Sequence, residues 1–161
     1  MALTKLNNQS LTAVTSAGLP AGSVVQTVFA LSNTPTVITG TSANAGTTTG
    51  LSVTITPTST NNKLFINYMG NFMLDSHANP WLSIEIYDDI SKVAADTSAG
   101  VYINGDGNEA NNRWRYPFLR YITPSSTNAI TYTVKAWKSG STATAQYGNQ
   151  PSTILIQEIK V

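Results

Sequence analysis

Apolar and polar residues alternate with a period of two along most of this chain, a pattern typical of half-buried β-strands. Leu51, Val53 and Ile55 alternate with Ser and Thr until the run ends at Pro57. Two later runs share this alternation: Leu82, Ile84 and Ile86, and Ile130, Tyr132, Val134 and Ala136. Further strands are predicted over residues 24–31, 101–104, 114–122, 142–147 and 153–161.

The run from residue 64 to 74 predicts a central strand, because both of its faces carry apolar residues. One face holds Leu64, Ile66, Tyr68, Phe72 and Leu74, and the other holds Phe65, Met69 and Met73. Such second faces, here and on the strand at 114–122, would stay exposed on a lone sandwich. In the last predicted strand the apolar phase slips between Ile156 and Ile159, which predicts a bulge near Gln157.

Turn residues such as Asn, Gly, Pro and Ser separate these runs, so eight or nine short strands follow one another. This arrangement predicts an all-β fold, an antiparallel β-sandwich of the jelly-roll type. The patch with helical spacing, Ile90 to Ala94, is too short to form a stable helix. A length of 161 residues is consistent with one domain.

Residues 1–22 depart from the strand period. Their apolar residues keep neither a helical nor a strand spacing: Leu3, Leu6, Leu11, Val14 and Leu19. We therefore predict an N-terminal attachment arm over 1–22, ordered against a larger scaffold, and a β-sandwich domain over 23–161. The alternative for the first segment is a disordered tail.

The composition suggests an extracellular or virion setting. Thr, Ser and Asn supply 54 of the 161 residues, while charged residues make up 11%, against roughly a quarter in an ordinary soluble protein. With no Cys, neither disulfides nor a thiolate metal site can reinforce the fold, so oligomerisation is the expected reinforcement. The sequence shows neither a secretory signal nor an apolar stretch of membrane-spanning length.

The charges are sorted along the chain. Seven of the eight acidic residues lie between Asp75 and Glu109, and a run of cations without any acid follows: Arg113, Arg115, Arg120, Lys135 and Lys138. Opposite charges could pair across neighbouring strands, or the acidic edge of one subunit could meet the basic edge of the next. In particular, Asp88, Asp89 and Asp106 are expected to compensate the three arginines. A nucleic-acid partner is not expected, since scattered cations in a nearly neutral domain give a poor phosphate footprint.

The candidate catalytic groups are weak. His77 stands beside Asp75 and Ser76, but three neighbours in one turn cannot adopt the geometry of a catalytic triad. The acidic pairs Glu85 with Asp88 and Asp106 with Glu109 could in principle cleave glycosides, although acids beside turns are expected to be solvated.

The loop from Asn104 to Glu109 suggests calcium binding, but Ala110 and Asn111 fall where an EF-hand needs a ligand and a glycine. A hairpin turn on Asn104 and Gly105 explains this loop better, and a calcium loop of another type remains the alternative. The sequence thus predicts no enzyme, no catalytic residue, no metal site and no cofactor.

Three tryptophans and the three arginines are the candidates for recognition or for a subunit interface: Trp81, Trp114, Trp137, Arg113, Arg115 and Arg120. Trp137 is out of phase with the buried side of its strand and should point away from the core. An outward tryptophan could stack on a sugar ring or insert into a neighbouring subunit.

Four stretches carry a family resemblance: MALTKLNNQSLTAVTSAGLPAGSVVQTV at the start, GTTTGLSVTITPTSTNNKLFI, AITYTVKAW and the final STILIQEIKV. Together they resemble a type of virion protein of tailed bacteriophages, especially marine and cyanobacterial ones. The resemblance covers nearly the whole chain and includes no catalytic signature.

The resemblance implies a homotrimeric module of a tail fibre, head fibre or capsid decoration on the virion surface. Its partners would be other virion proteins of capsid or tail, and a host surface glycan is a further candidate partner; neither nucleic acid nor membrane is expected. The competing hypotheses are a carbohydrate-binding module, which should be monomeric, and a small polysaccharide hydrolase, which needs two carboxylates facing one cleft.

Overall fold

The computed structural model describes residues 18–74, 81–95, 101–102, 112–139 and 143–161, and these residues are almost entirely β structure. A single turn of 3-10 helix lies at Tyr147–Asn149. The strands are β1 Val24–Ser32, β2 Thr36–Ile38, β3 Thr47–Ile55, β4 Lys63–Leu74, β5 Trp81–Asp88, β6 Ser91–Ala95, β7 Val101–Tyr102, β8 Asn112–Ile122, β9 Ile130–Ser139, β10 Ala143–Ala145 and β11 Ser152–Ile159.

Eight of these strands pair in a nested order. β1 pairs with β11, β3 with β9, β4 with β8 and β5 with β6, all antiparallel. Such nesting is what results when one long antiparallel hairpin is rolled into two sheets, the arrangement of a jelly roll. The predicted antiparallel jelly-roll sandwich is therefore confirmed.

Each sheet contains four of these paired strands, and the short strands β2, β7 and β10 extend the sheets. Sheet A has the order β1–β11–β4–β8, and sheet B has the order β3–β9–β5–β6. β4 is long enough to pair with β11 over one part of its length and with β10 over the other, and β10 carries β2 on its far side. β7 pairs with β5 in sheet B. β8 consequently forms one edge of sheet A, and the predicted central strand β4 lies inside it.

The core lies between the two sheets, where the predicted apolar positions meet. The five residues of the predicted inner face of β4 are all at most 2% exposed, and the alternating residues of β3, β5 and β9 are also buried. The strands predicted at 24–31, 114–122 and 153–161 appear as β1, β8 and β11 with ends shifted by at most two residues. The short β2 was not predicted, since its three residues lie between Pro35 and Gly40, both typical of turns.

The predicted bulge near Gln157 is wrong. β11 pairs with β4 in unbroken register, and the irregularity lies in β1 instead, where Val24 pairs with Ile159 and Gln26 with Glu158. The apolar phase slips because Glu158 takes an inward position that an apolar residue would normally occupy, and it is fully buried.

The segment before β1 is fastened to the end of β11. Gly22 N donates to the carbonyl oxygen of Lys160 at 2.7 Å, and Lys160 Nζ donates to the carbonyl oxygen of Leu19 at 2.5 Å. Gly22 has φ of 85°, a conformation that favours glycine, so it sets the direction in which the chain enters β1. The other four predicted arm residues lie outside the described residues, and the boundary at residue 22 stays a prediction.

Gly70 is the site of one stability prediction. It lies inward on β4, and a Cβ added there would collide with the buried rings of Tyr68 and Phe72. We expect Gly70→Ala to lower the free energy of unfolding by about 1–3 kcal/mol, because overpacking forces core rings off their preferred positions. Urea denaturation followed by tryptophan fluorescence measures this change.

Gly18→Ala is the matched control, because a Cβ there meets no atom within 4 Å. It should change the unfolding free energy by less than about 0.5 kcal/mol. Equal stability of Gly70→Ala and the wild type would show that the rings around this position can rearrange freely.

Candidate functional site

The outer face of sheet A carries large apolar side chains in contact with solvent. Five of them lie on β1, β4 and β8: Phe29 at 57% and Leu31 at 53% on β1, Met69 at 37% on β4, and Leu119 at 50% and Tyr121 at 67% on β8. Their neighbours along each strand face the core, as strand alternation requires. These five residues form the apolar strip.

The register aligns the apolar strip with Leu155 of β11. Phe29 lies opposite Leu155, Leu155 opposite Asn67, and Asn67 opposite Leu119. In a neighbouring row the rings of Phe65 and Tyr121 have centroids 4.8 Å apart. Apolar side chains therefore lie on β1, β11, β4 and β8 of this face, with the exposed Asn67 among them.

The sequence predicts part of this surface. Of the predicted second face of β4, Met69 is exposed, Phe65 is half-buried and Met73 is buried. On β8, Leu119 and Tyr121 are exposed. The contribution of β1 was missed, although the unbroken apolar run from Val28 to Leu31 was the available signal. In such a run both faces of a strand are apolar, so one of them must lie outside the core.

Sheet B presents a different outer surface, built from polar groups. Glu85 is 1% exposed there and accepts hydrogen bonds from Lys92 Nζ and Tyr87 Oη, both at 3.1 Å, and from Asn44 N at 3.2 Å. Lys135 lies directly opposite Glu85 in register and its Nζ is 4.1 Å from the centroid of the Tyr87 ring. The ion pair of Glu85 with Lys92 confirms, for this acid, the interpretation that charges pair across neighbouring strands.

Glu85 and Asp88 do not form a glycosidase pair. They are three residues apart on β5, so alternation puts Glu85 on the outer face and Asp88 on the side of the core. The expectation that both are solvated is wrong, because Asp88 is also buried. Its carboxylate accepts from Ser91 N and Oγ at 3.0 Å and from Ser125 Oγ at 3.3 Å. These bonds fix the turn between β5 and β6.

The acids near this turn bind groups of neighbouring turns and strands. Asp88 is engaged by the serines, and Asp89 Oδ2 accepts from Thr131 N at 3.1 Å. That they also compensate the arginines of β8, within or between chains, stays a prediction. Asp106 lies outside the described residues.

The three predicted arginines divide between two faces of β8. Arg113 and Arg115 lie two residues apart and share the outer face of sheet A, whereas Arg120 has the phase of the inner face, with its guanidinium 4.6 Å from the centroid of the Phe118 ring. Only Arg113 and Arg115 can therefore contribute to one site on the outer face.

The predicted tryptophans are also separated. Trp114 is 42% exposed on the edge strand β8. Trp137 lies opposite Ser83 on the outer side of sheet B and is half-buried, so it points away from the core as predicted. Trp81 begins β5, and its side chain lies outside the described residues.

A cleft lies beyond the end of the apolar strip. It has a volume of about 270 Å³ and is lined by Asn71, Arg113, Trp114, Arg115 and Gln150. The guanidinium carbon of Arg113 is 5.0 Å from the centroid of the Tyr147 ring. The arginines and Trp114 are among the residues predicted from the sequence, whereas the turn that forms the opposite wall is not.

The motifs at residues 75–77 and 104–109, which include His77 and the calcium-like loop, lie outside the described residues. Within the described ranges, no three His, Cys, Asp or Glu side chains lie close enough to hold a metal ion. The same part of the chain contains no helix that is long and apolar enough to cross a membrane.

A scan against protein-family models finds no match, and a search of curated proteins finds none either. Among solved structures, the structure of the infectious bursal disease virus Gx strain matches with 19% identity and a TM-score of 0.42, over 86% of this chain and 39% of that chain. The VP2 subviral particle of the same virus matches with 18% identity and a TM-score of 0.41, over the same shares of the two chains. This chain thus spans about two fifths of the length of these structures, and its fold is assigned from its own strand order.

Proposed function

We propose that the chain is a non-enzymatic structural protein of a virion, a head- or tail-attached fibre or decoration protein that assembles as a homotrimer on the particle surface. The observation that carries the proposal is the apolar strip, whose residues lie on β1, β4 and β8 of sheet A, while sheet B has a polar outer surface around Glu85. The resemblance to tailed-phage virion proteins supplies the particle and the threefold stoichiometry.

Burial of the apolar strip against another protein surface would be energetically favourable. Each large apolar side chain that is fully removed from water stabilises an assembly by about 1.5–3 kcal/mol. Soluble monomers rarely expose a continuous apolar patch of this kind, and such patches mark contact surfaces. A second and a third copy of the chain would bring identical strips together, which replaces the reinforcement that disulfides cannot give here.

Light scattering of the purified chain tests the homotrimer. At micromolar concentration we expect the mass of three chains, about three times the 17.1 kDa of one chain. The mass should stay constant on tenfold dilution, because burial of several large apolar side chains lowers the dissociation constant below the working concentration. A one-chain mass at micromolar concentration would contradict the proposal.

Attachment to the particle is assigned to residues 1–22. The described end of this segment is held beside β11 through Gly22 and Leu19, so the residues before it emerge at a fixed point of the sandwich. A deletion of residues 2–17 keeps both contacts. We expect the shortened chain to fold and to form trimers but to be missing from purified particles, as detected by mass spectrometry; normal incorporation would exclude the arm as the anchor.

A further inference from the structure

The cleft at the end of the apolar strip has a preformed wall. Gln146, Gly148 and Asn149 all have φ between 53° and 64°, so the chain turns sharply after β10. Three hydrogen bonds tie this turn and the start of β11 to Asn71 of β4: Gln146 N to the Asn71 carbonyl oxygen at 2.8 Å, Asn71 N to Ser152 Oγ at 2.9 Å, and Asn71 Nδ2 to the Pro151 carbonyl oxygen at 2.5 Å. The wall is thus positioned before any ligand arrives.

The opposite wall carries two cations. Arg113 and Arg115 project from the same face of β8, and Asn71 is the register partner of Arg115. The Tyr147 ring beneath Arg113 restricts the guanidinium through a cation–π contact. Because this long side chain is already held in place, less conformational entropy is lost when a ligand binds to it.

The cleft has a positive charge that the described residues do not balance. Within the described part of the chain, no carboxylate lies within 4.0 Å of Arg113 or Arg115. The acid of sheet A, Glu158, faces the core on β11. Two guanidinium groups beside one small cleft therefore favour an anionic ligand.

The remaining lining groups narrow the class of anion. A guanidinium binds a carboxylate through two parallel hydrogen bonds. The amides of Asn71 and Gln150 offer donors and acceptors of the kind that recognise hydroxyl groups. A volume of about 270 Å³ is close to the lower end of the range for small-ligand sites, which suits one ring rather than a long chain.

We propose that this cleft binds a carboxylate-bearing sugar ring, of the uronic acid type, with the carboxylate on Arg113 and Arg115 and the hydroxyls on the amides. All of its walls come from one chain, so the site is complete without a second copy. The sugar class goes beyond the structural function proposed above.

The test titrates the full-length protein with D-glucuronate and follows amide chemical shifts by NMR. We expect millimolar binding that is at least 10-fold weaker in Arg113→Ala and in Arg115→Ala. Arg120→Ala is the matched control, since it removes the same charge from the same strand outside the cleft, and it should bind as the wild type does.

Two further ligands test the carboxylate contact and the hydroxyl contacts separately. D-Glucose should bind at least 10-fold more weakly because it lacks the carboxylate, and acetate at least 10-fold more weakly because it lacks the hydroxyls. Binding of acetate as tight as that of glucuronate would overturn the sugar assignment. Glucuronate binding that is absent, or unchanged in Arg113→Ala and Arg115→Ala, would overturn the site itself, whatever mass light scattering gives.

Discussion

Replacing Glu158 with Ala should lower the free energy of unfolding by about 2–4 kcal/mol, because it removes several hydrogen bonds to one charged group. The buried carboxylate accepts hydrogen bonds from Gln26 Nε2 at 2.6 Å, Asn62 Nδ2 at 2.7 Å, and Thr58 N and Oγ1 at 2.8 Å each. Alanine would leave these donors in a dry space, and each unsatisfied buried donor costs about 1–3 kcal/mol. Urea denaturation at pH 7 measures the loss.

The same carboxylate should make the fold sensitive to acid. Burial alone would raise the pKa of Glu158, but hydrogen bonds from Gln26, Asn62 and Thr58 outweigh it and hold the pKa below its ordinary value of 4.5. Because the folded pKa is the lower one, this stabilisation is fully present above pH 4.5. It is lost as the pH falls through the folded pKa.

Glu158→Gln is the control that separates charge from shape. It keeps the volume and part of the hydrogen bonding, so its cost at pH 7 should be smaller, about 1–2 kcal/mol. The stability of this variant should also fall less steeply than that of the wild type below pH 4.5. Parallel pH profiles for the two proteins would show that other groups control acid unfolding.

Replacing Leu119 with Glu should convert the proposed trimer into single folded chains. Leu119 is half-exposed on β8 and lies within the apolar strip, so its substitution puts a carboxylate into the apolar part of the proposed interface. Burying a charge there should raise the dissociation constant at least about 100-fold. Light scattering gives the mass, and circular dichroism checks that the sandwich stays folded.

Ile90→Glu is the matched control for this experiment. Ile90 is 94% exposed in the turn between β5 and β6, which belongs to sheet B. The variant adds the same charge at an exposed apolar position and should keep the mass of the wild type. If Leu119→Glu also keeps the mass of three chains, the outer face of sheet A is not the interface.

The sandwich was predictable because the residues that form its core follow the strand period. Leu51, Val53 and Ile55, for example, alternate with Ser and Thr, and all three are buried. Their burial depends only on the side of the strand on which they lie, which a period of two determines. The pairing of β1 with β11 could be predicted only through the jelly-roll fold type. Pairing between strands more than one hundred residues apart leaves no local signal in the sequence.

The polar groups of the interior were not predictable in the same way. The phase slip between Ile156 and Ile159 predicts a bulge, and the turns beside Glu85 and Asp88 predict solvated acids, because a local pattern does not reveal distant donors. The donors to Glu158 come from residues 26 and 58–62, far from it in sequence. The cleft was not predictable for the same reason, because it combines residues that are distant in sequence. β8 supplies its arginines, and the turn after β10 supplies its other wall.

The position of β11 determines when the molecule can fold during synthesis. β11 hydrogen-bonds to β1 on one edge and to β4 on the other, yet the ribosome makes it after both of them. Until residues 152–159 have emerged, β1 has no partner in sheet A and the edge of β4 that pairs with β11 stays open. Nascent chains of this protein therefore pass through a long stage with unpaired strand edges. During this stage, pairing between nascent chains on neighbouring ribosomes competes with correct strand pairing within one chain.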